Sequence, residues 1–209
     1  MNIKTVKKYA IVGLADVLSH FGVPTSTAMQ IYEDILAKRA AEANEILLSE
    51  IRQGHFGNID QNEAVSIIAR FQRDAMEGVA KNNLRLMARV INGMAEKNEL
   101  KAPTFLKYAP ILATLTEDEI RVLVILSRLS DTEIKYAMGY QHFIEAGIKN
   151  YYEILQSLLR TALVRMEVMS GQDEDDKERI NTVMRFYLTG LAREILRYTD
   201  IANKSEKVV

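Results

Sequence analysis

Residues 163–188 read LVRMEVMSGQDEDDKERINTVMRFYL, and this stretch decides the fold class. Leu163-Val164-Arg165-Met166-Glu167-Val168-Met169 is rich in β-branched and apolar side chains, with charges at 165 and 167 only. That is a period of two, the pattern of a half-buried strand. Val183-Met184-Arg185-Phe186-Tyr187-Leu188 is a second short strand candidate, and the polar, acidic run Ser170–Arg179 separates the two. Together they predict one β-hairpin. Thr189 is placed to cap a last helix whose apolar side chains are Leu191, Ile195, Leu196 and Tyr198.

Upstream of the hairpin the spacing changes to three and four. A helix is expected from about Lys149 to Arg160. Gly139 and Gly147 bracket a short piece around His142 and Phe143. Ile120–Leu129 is apolar almost all round, as in a helix buried in a core. Thr116-Glu117-Asp118-Glu119 before it and Ser130-Asp131-Thr132-Glu133 after it both have capping-box spacing.

The first half reads as helix throughout. A first helix is expected over Ile3–Phe21, with Val6, Ala10, Leu14, Val17, Leu18 and Phe21 on one stripe. Gly22 and Pro24 break it, and Ser26 or Thr27 can cap a long second helix reaching about Arg52. Tyr32, Leu36, Ala40, Ala43, Leu47 and Ile51 form its stripe, and Gly54 is a plausible stop. Asp60-Gln61-Asn62-Glu63 has the spacing of another capping box. A third helix would follow to about Val79, with Val65, Ile68, Phe71, Met76 and Val79 near one face. A fourth runs from about Lys81 to Lys97, joined at Gly78 or Asn82–Asn83, or continuous with the third through a kink. Pro103 can open a short helix that Pro110 limits.

Composition narrows the function classes. The chain has 209 residues, 48% of them hydrophobic and 26% charged, enough for a sizeable core and against wholesale disorder. It has no cysteine, which excludes a disulfide scaffold, a thiolate zinc site and a cysteine nucleophile. Net charge is −1, but its distribution is uneven: +2 over residues 1–114, −4 over 115–200 and +1 over 201–209. Lys4, Lys7 and Lys8 precede the apolar run Tyr9–Leu18, as in a signal peptide. Asp16 interrupts that run, no small-x-small cleavage site follows, and the run is too short to span a bilayer. A cytoplasmic location is expected.

The last third therefore has the order helix, helix, helix, strand, acidic loop, strand, helix. It resembles a winged helix of the MarR-like type over roughly residues 113–200. The likeness is carried by Leu115-Thr116-Glu117-Asp118-Glu119, by Leu158-Leu159-Arg160-Thr161-Ala162-Leu163-Val164 and by Tyr187-Leu188-Thr189-Gly190. In that family a leucine-threonine pair closes the wing and starts the next helix. The resemblance implies a DNA-binding recognition helix, here offering Lys149, Asn150, Gln156 and Arg160 among Tyr151, Tyr152, Ile154, Leu155, Leu158 and Leu159. The wing loop, however, carries Asp173, Glu174, Asp175, Asp176 and Glu178 against Lys177 and Arg179, a charge that a polyanion repels. The whole layout also resembles bacterial abortive-infection proteins of the Abi-alpha type and related prophage proteins. That likeness rests on Leu84-Arg85-Leu86-Met87-Ala88-Arg89-Val90-Ile91, Phe105-Leu106-Lys107-Tyr108 and Leu115-Thr116. It implies a bacterial or phage-borne protein in phage defence or counter-defence.

Chemical candidates are few. His142 and Glu145 stand at i, i+3, within reach of one ion on a helix face, but a second such pair is missing. His55 lies in a glycine-flanked loop with no visible partner for general-base work. The Asp173–Glu178 run lacks the glycine of an EF-hand loop. No phosphate-cradling glycine loop, HExxH or GxSxG motif occurs. No metal or cofactor is expected.

The expected fold is mainly α. Residues 1–101 form a helical N-terminal bundle, 102–200 a winged-helix-like module with one β-hairpin, and 201–209 a tail. The expected role is non-enzymatic binding of another protein. Tyr136, Tyr140, Tyr151, Tyr152, Gln156 and Arg160 would supply contact area, and Asp173, Glu174, Asp175 and Asp176 a preference for a basic partner. The alanine and leucine stripe of the second helix would either pack within the monomer or make a homodimer. Two alternatives stand beside this: a DNA-binding regulator, and a membrane-acting effector whose Lys4, Lys7 and Lys8 meet anionic lipid.

Overall fold

The computed structural model describes residues 25–51, 60–129, 139–172 and 180–199. Among these, the chain runs α1 (Thr25–Glu50), α2 (Gln61–Glu77), α3 (Lys81–Glu96), α4 (Ala102–Thr114), α5 (Glu117–Arg128), α6 (Gly139–Glu145), α7 (Tyr151–Arg160), β1 (Val164–Gln172), β2 (Ile180–Leu188) and α8 (Gly190–Thr199). The protein is thus mainly helical with one antiparallel hairpin. The expected first helix, the segment around His55, the Ser130–Glu133 box, the Asp173–Glu178 run and the tail lie outside the described residues.

The long α1 buries Ala43, Ile46 and Leu47 against α2 and α3, whereas Tyr32, Leu36 and Ala40 of its stripe are only half-buried. It begins at Thr25, which puts Ser26 and Thr27 inside the helix rather than at its cap. Ion pairs hold α1 beside α3 in parallel: Lys81 to Glu42 at 3.2 Å and Arg89 to Glu50 at 3.0 Å. Arg39 donates to the Met76 carbonyl at 2.9 Å, placing a cation at the negative end of the α2 dipole.

Helices α2 and α3 are separate. Gly78 ends α2 at φ 93°, a left-handed conformation that glycine adopts without the penalty of a Cβ. The buried side of α2 is Ile67, Phe71, Asp74 and Ala75, whereas Val65 and Ile68 are exposed. Of the expected face, Phe71 is in the core and Val79 packs against it, so the difference is confined to Val65 and Ile68, whose place Ile67 and the charged Asp74 take. Asp74 is 1% exposed and is paired with Arg70 one turn earlier, at 2.9 Å and 3.0 Å. Asp60 caps α2 through the Asn62 amide, 2.8 Å away, and not through Glu63. The Glu63 carboxylate instead accepts the backbone N–H of Ala102, tying α2 to the start of α4.

Pro110 lies inside α4 and does not end it. Proline costs the helix one hydrogen bond, but Ala109 and Leu112 on either side of it are in the core. Asn83 of α3 fastens the far end of α4, donating 2.7 Å bonds to the carbonyls of Leu112 and Leu115. The Thr116–Glu119 capping box is formed in both directions and starts α5.

The hairpin is longer than its apolar segments, with nine residues in each strand and register Val164↔Leu188 to Gln172↔Ile180. From it the chain turns into α8, which returns to pack on α3. There the helices meet backbone to backbone: a Cβ on Gly93 would lie 1.9 Å from the Tyr198 carbonyl oxygen. One continuous core consequently runs from Ala43 to Tyr198.

Candidate interaction surface

The surface formed by α7 and the hairpin is built from the base upward. Ala162 takes a left-handed turn (φ 57°) between α7 and β1. The Thr189 amide donates to the Leu163 carbonyl at 3.0 Å, and the Thr189 hydroxyl to the Ala162 carbonyl at 2.8 Å. The same hydroxyl oxygen accepts the Ala192 N–H at 3.2 Å and caps α8. One threonine thus closes the hairpin and starts the last helix.

The register places Val164, Met166 and Val168 on one face of the hairpin, opposite Leu188, Phe186 and Met184. The base of this apolar face is core: Val164, Phe186 and Leu188 are buried. Farther out the row leaves the body, and Met166 (41%), Val168 (58%) and Met184 (39%) are exposed. Tyr152 of α7 extends the patch at 42% exposure. Its ring stands edge-on to Phe186 with centroids 6.2 Å apart, and its hydroxyl is 3.5 Å from the Met184 sulfur. Gln156 and Arg160 are exposed and continue the Tyr152 line at i+4 and i+8. The opposite face of the hairpin carries its charges, Arg165, Glu167 and Arg185. Arg165 lies over the Tyr187 ring, 5.2 Å from its centroid, and pairs with Glu167 at 3.3 Å.

Three of the expected contact residues, Tyr152, Gln156 and Arg160, therefore share one exposed stripe. Tyr151 does not join them: it is half-buried and stacks on Phe143 with centroids 5.5 Å apart. Tyr136, Asp173, Glu174, Asp175, Asp176 and the side chain of Tyr140 lie outside the described residues. Met166, Val168 and Met184 were not anticipated as contact residues. Their signal was the alternation itself, which marks an apolar face without saying what covers it.

A polar cluster lies elsewhere, where α8 meets the α3–α4 junction. Tyr198 donates to Glu99 at 2.5 Å, and Arg197 bridges the same carboxylate at 2.5 Å. Burial, reinforced by a bond to Glu194, pushes the Tyr108 hydroxyl well above the ordinary tyrosine range. Burial, then the bond to Glu99, raises Tyr198 likewise. These groups satisfy one another across elements far apart in sequence, which makes the cluster a clamp for α8. A cavity of about 20 Å³ beneath α8 is wholly apolar, bounded by Leu86, Leu112, Leu123, Leu163 and Ile195 among others, and it offers no polar group to orient a ligand.

His142 and Glu145 do approach, at 3.9 Å, on the exposed side of α6. Among the described residues no group of three or more potential metal ligands occurs, and no helix is long and apolar enough to cross a membrane. Comparison with known proteins finds no match: no family model, no curated protein and no solved structure matches the chain.

Proposed function

We propose that this protein acts by binding another protein through the surface of α7 and the hairpin. The observation that carries this reading is the exposed apolar row Met166, Val168, Met184 and Tyr152, held on a base fixed by core packing. A rigid aromatic side chain beside adaptable methionines suits protein contact, since it buries area at low entropic cost. The Asp173–Asp176 run beyond the strand ends supports preference for a basic partner. A winged-helix-like arrangement turned to protein contact, in bacterial or phage-borne defence or counter-defence, is the biological setting the reading carries. A cytoplasmic site of action belongs to the same proposal.

The test is affinity capture from the source cell with the wild-type chain, Tyr152→Ala and Val168→Asp in parallel. A partner retained by the wild type and lost by both folded variants supports the proposal. A partner retained equally by all three overturns it. So does a salt-sensitive shift of duplex DNA lost on Arg160→Ala. That result would favour the regulator reading, for which Lys149, Asn150, Gln156 and Arg160 are all exposed.

A further inference from the structure

We propose that the outer edge of β1 pairs antiparallel with the β1 edge of a second copy, about a two-fold axis through Met166. The direction of the backbone groups sets up the argument. Because Thr189 donates to Leu163, the pair 163/189 is a hydrogen-bonded pair of the ladder. Pairs alternate along an antiparallel ladder, so 165/187 and 167/185 are hydrogen-bonded and 164/188, 166/186 and 168/184 are not. The N–H and C=O groups of Arg165 and Glu167 therefore face β2. Those of Val164, Met166 and Val168 face outward, toward an edge that no other described strand covers.

Such an edge is a template for another strand. What selects a copy of β1 is its charge pattern. A two-fold at Met166 makes 166/166 and 164/168 the hydrogen-bonded pairs between copies, which the outward-facing groups require. Arg165 of each copy then falls opposite Glu167 of the other in a non-hydrogen-bonded pair, where side chains approach most closely. The Arg165–Glu167 contact within one strand becomes an alternating ladder of four charges. On the other face Met166 meets Met166, and the exposed Val168 meets the outer edge of Val164, whose side chain belongs to the core. A slip of one residue would lose both matches. Strand β2 has no such self-complement: its described charge is Arg185, with no acid two positions away. This pairing uses the strand edge; on the apolar face it covers Met166 and Val168, which the partner-binding reading also uses, whereas its charge ladder of Arg165 and Glu167 lies on the opposite face.

Sedimentation of the full chain over a range of concentration tests it. The wild type is expected to pass from monomer to dimer. Arg165→Glu leaves only acids at 165 and 167, Glu167→Arg leaves only bases, and each alone should weaken self-association at least about tenfold. Mixed together they restore both ion pairs, so the mixture should dimerise where neither does alone. A second measurement leaves the charges untouched. The chain has no cysteine, and hydrogen-bonded antiparallel partners sit about 5.5 Å apart between Cα atoms, within disulfide reach. Met166→Cys should therefore crosslink on oxidation, far faster than Glu153→Cys on the exposed side of α7. A wild type that stays monomeric at about 0.5 mM, millimolar concentrations being where even weak contacts assemble, overturns the proposal. So does a mixture of folded variants that fails to associate, or equal crosslinking from 166 and 153.

Discussion

Gly93→Ala sets two opposing terms against each other, and their sign tests the crossing of α3 and α8. Replacing a mid-helix glycine by alanine ordinarily stabilises by about 0.5–1 kcal/mol, through propensity and lost backbone entropy. At Gly93 the new methyl carbon would meet the Tyr198 carbonyl oxygen at 1.9 Å and the carbonyl and α carbons at 2.7 Å and 2.8 Å. Contact at about 3.2 Å or more requires a shift of roughly 1.3 Å, and the obstruction is backbone, which has no rotamer to give. Moving the last turn of α8 also disturbs Tyr198, 4% exposed, and its bond to Glu99. Overpacking of this kind costs about 1–3 kcal/mol, and partial loss of Tyr198 burial adds about 1–2 kcal/mol. The net expectation is a loss of about 2–4 kcal/mol, a fall in Tm of about 5–15 °C for a chain of this length. Thermal and urea unfolding followed by circular dichroism measure it. A Tm unchanged or raised would refute the backbone contact and with it the docking of α8 on α3.

Two further predictions concern groups buried between elements. Asn83→Ala leaves the Leu112 and Leu115 carbonyls without their shared donor; a loss of about 2–4 kcal/mol is expected in urea unfolding, and a loss under 0.5 kcal/mol would count against the bonds. Tyr108 is held protonated in the folded chain while the unfolded chain ionises near pH 10, so the unfolded state releases the proton first. Stability is then complete below pH 10 and declines above it. Tyr108→Phe should flatten this alkaline decline, and an identical decline in the variant would show that another group causes it.

The sequence was most legible where structure is local. The Thr116–Glu119 box forms as its spacing requires, and Thr189 caps α8 as expected. The same spacing at Asp60–Glu63 misleads, because a more distant donor, the Ala102 amide, takes the Glu63 carboxylate. Pro110 reads as a stop, yet the core on both sides of it carries the helix through to Thr114. In α2 the apolar pattern places Val65 and Ile68 inward, because apolar periodicity leaves out Asp74, which is buried once Arg70 at i−4 neutralises it. At Asp60–Glu63 and at Pro110 a tertiary contact overrides a local rule, whereas in α2 the deciding pair, Arg70 and Asp74, is one turn apart within the helix.

The exposed apolar row of the hairpin shows the same limit more sharply. Alternation in residues 163–169 and 183–188 establishes two faces, and the register confirms that Val164, Met166 and Val168 share one of them. Periodicity carries no information about how far the body of the protein extends beneath that face. Here it reaches Val164, Phe186 and Leu188 and stops short of Met166, Val168 and Met184. One row of apolar side chains is therefore core at one end and exposed at the other. The proposed binding surface is in this sense a continuation of the core. A substitution at Val168 is expected to alter recognition with little effect on stability, whereas the same substitution at Val164 would unfold the hairpin.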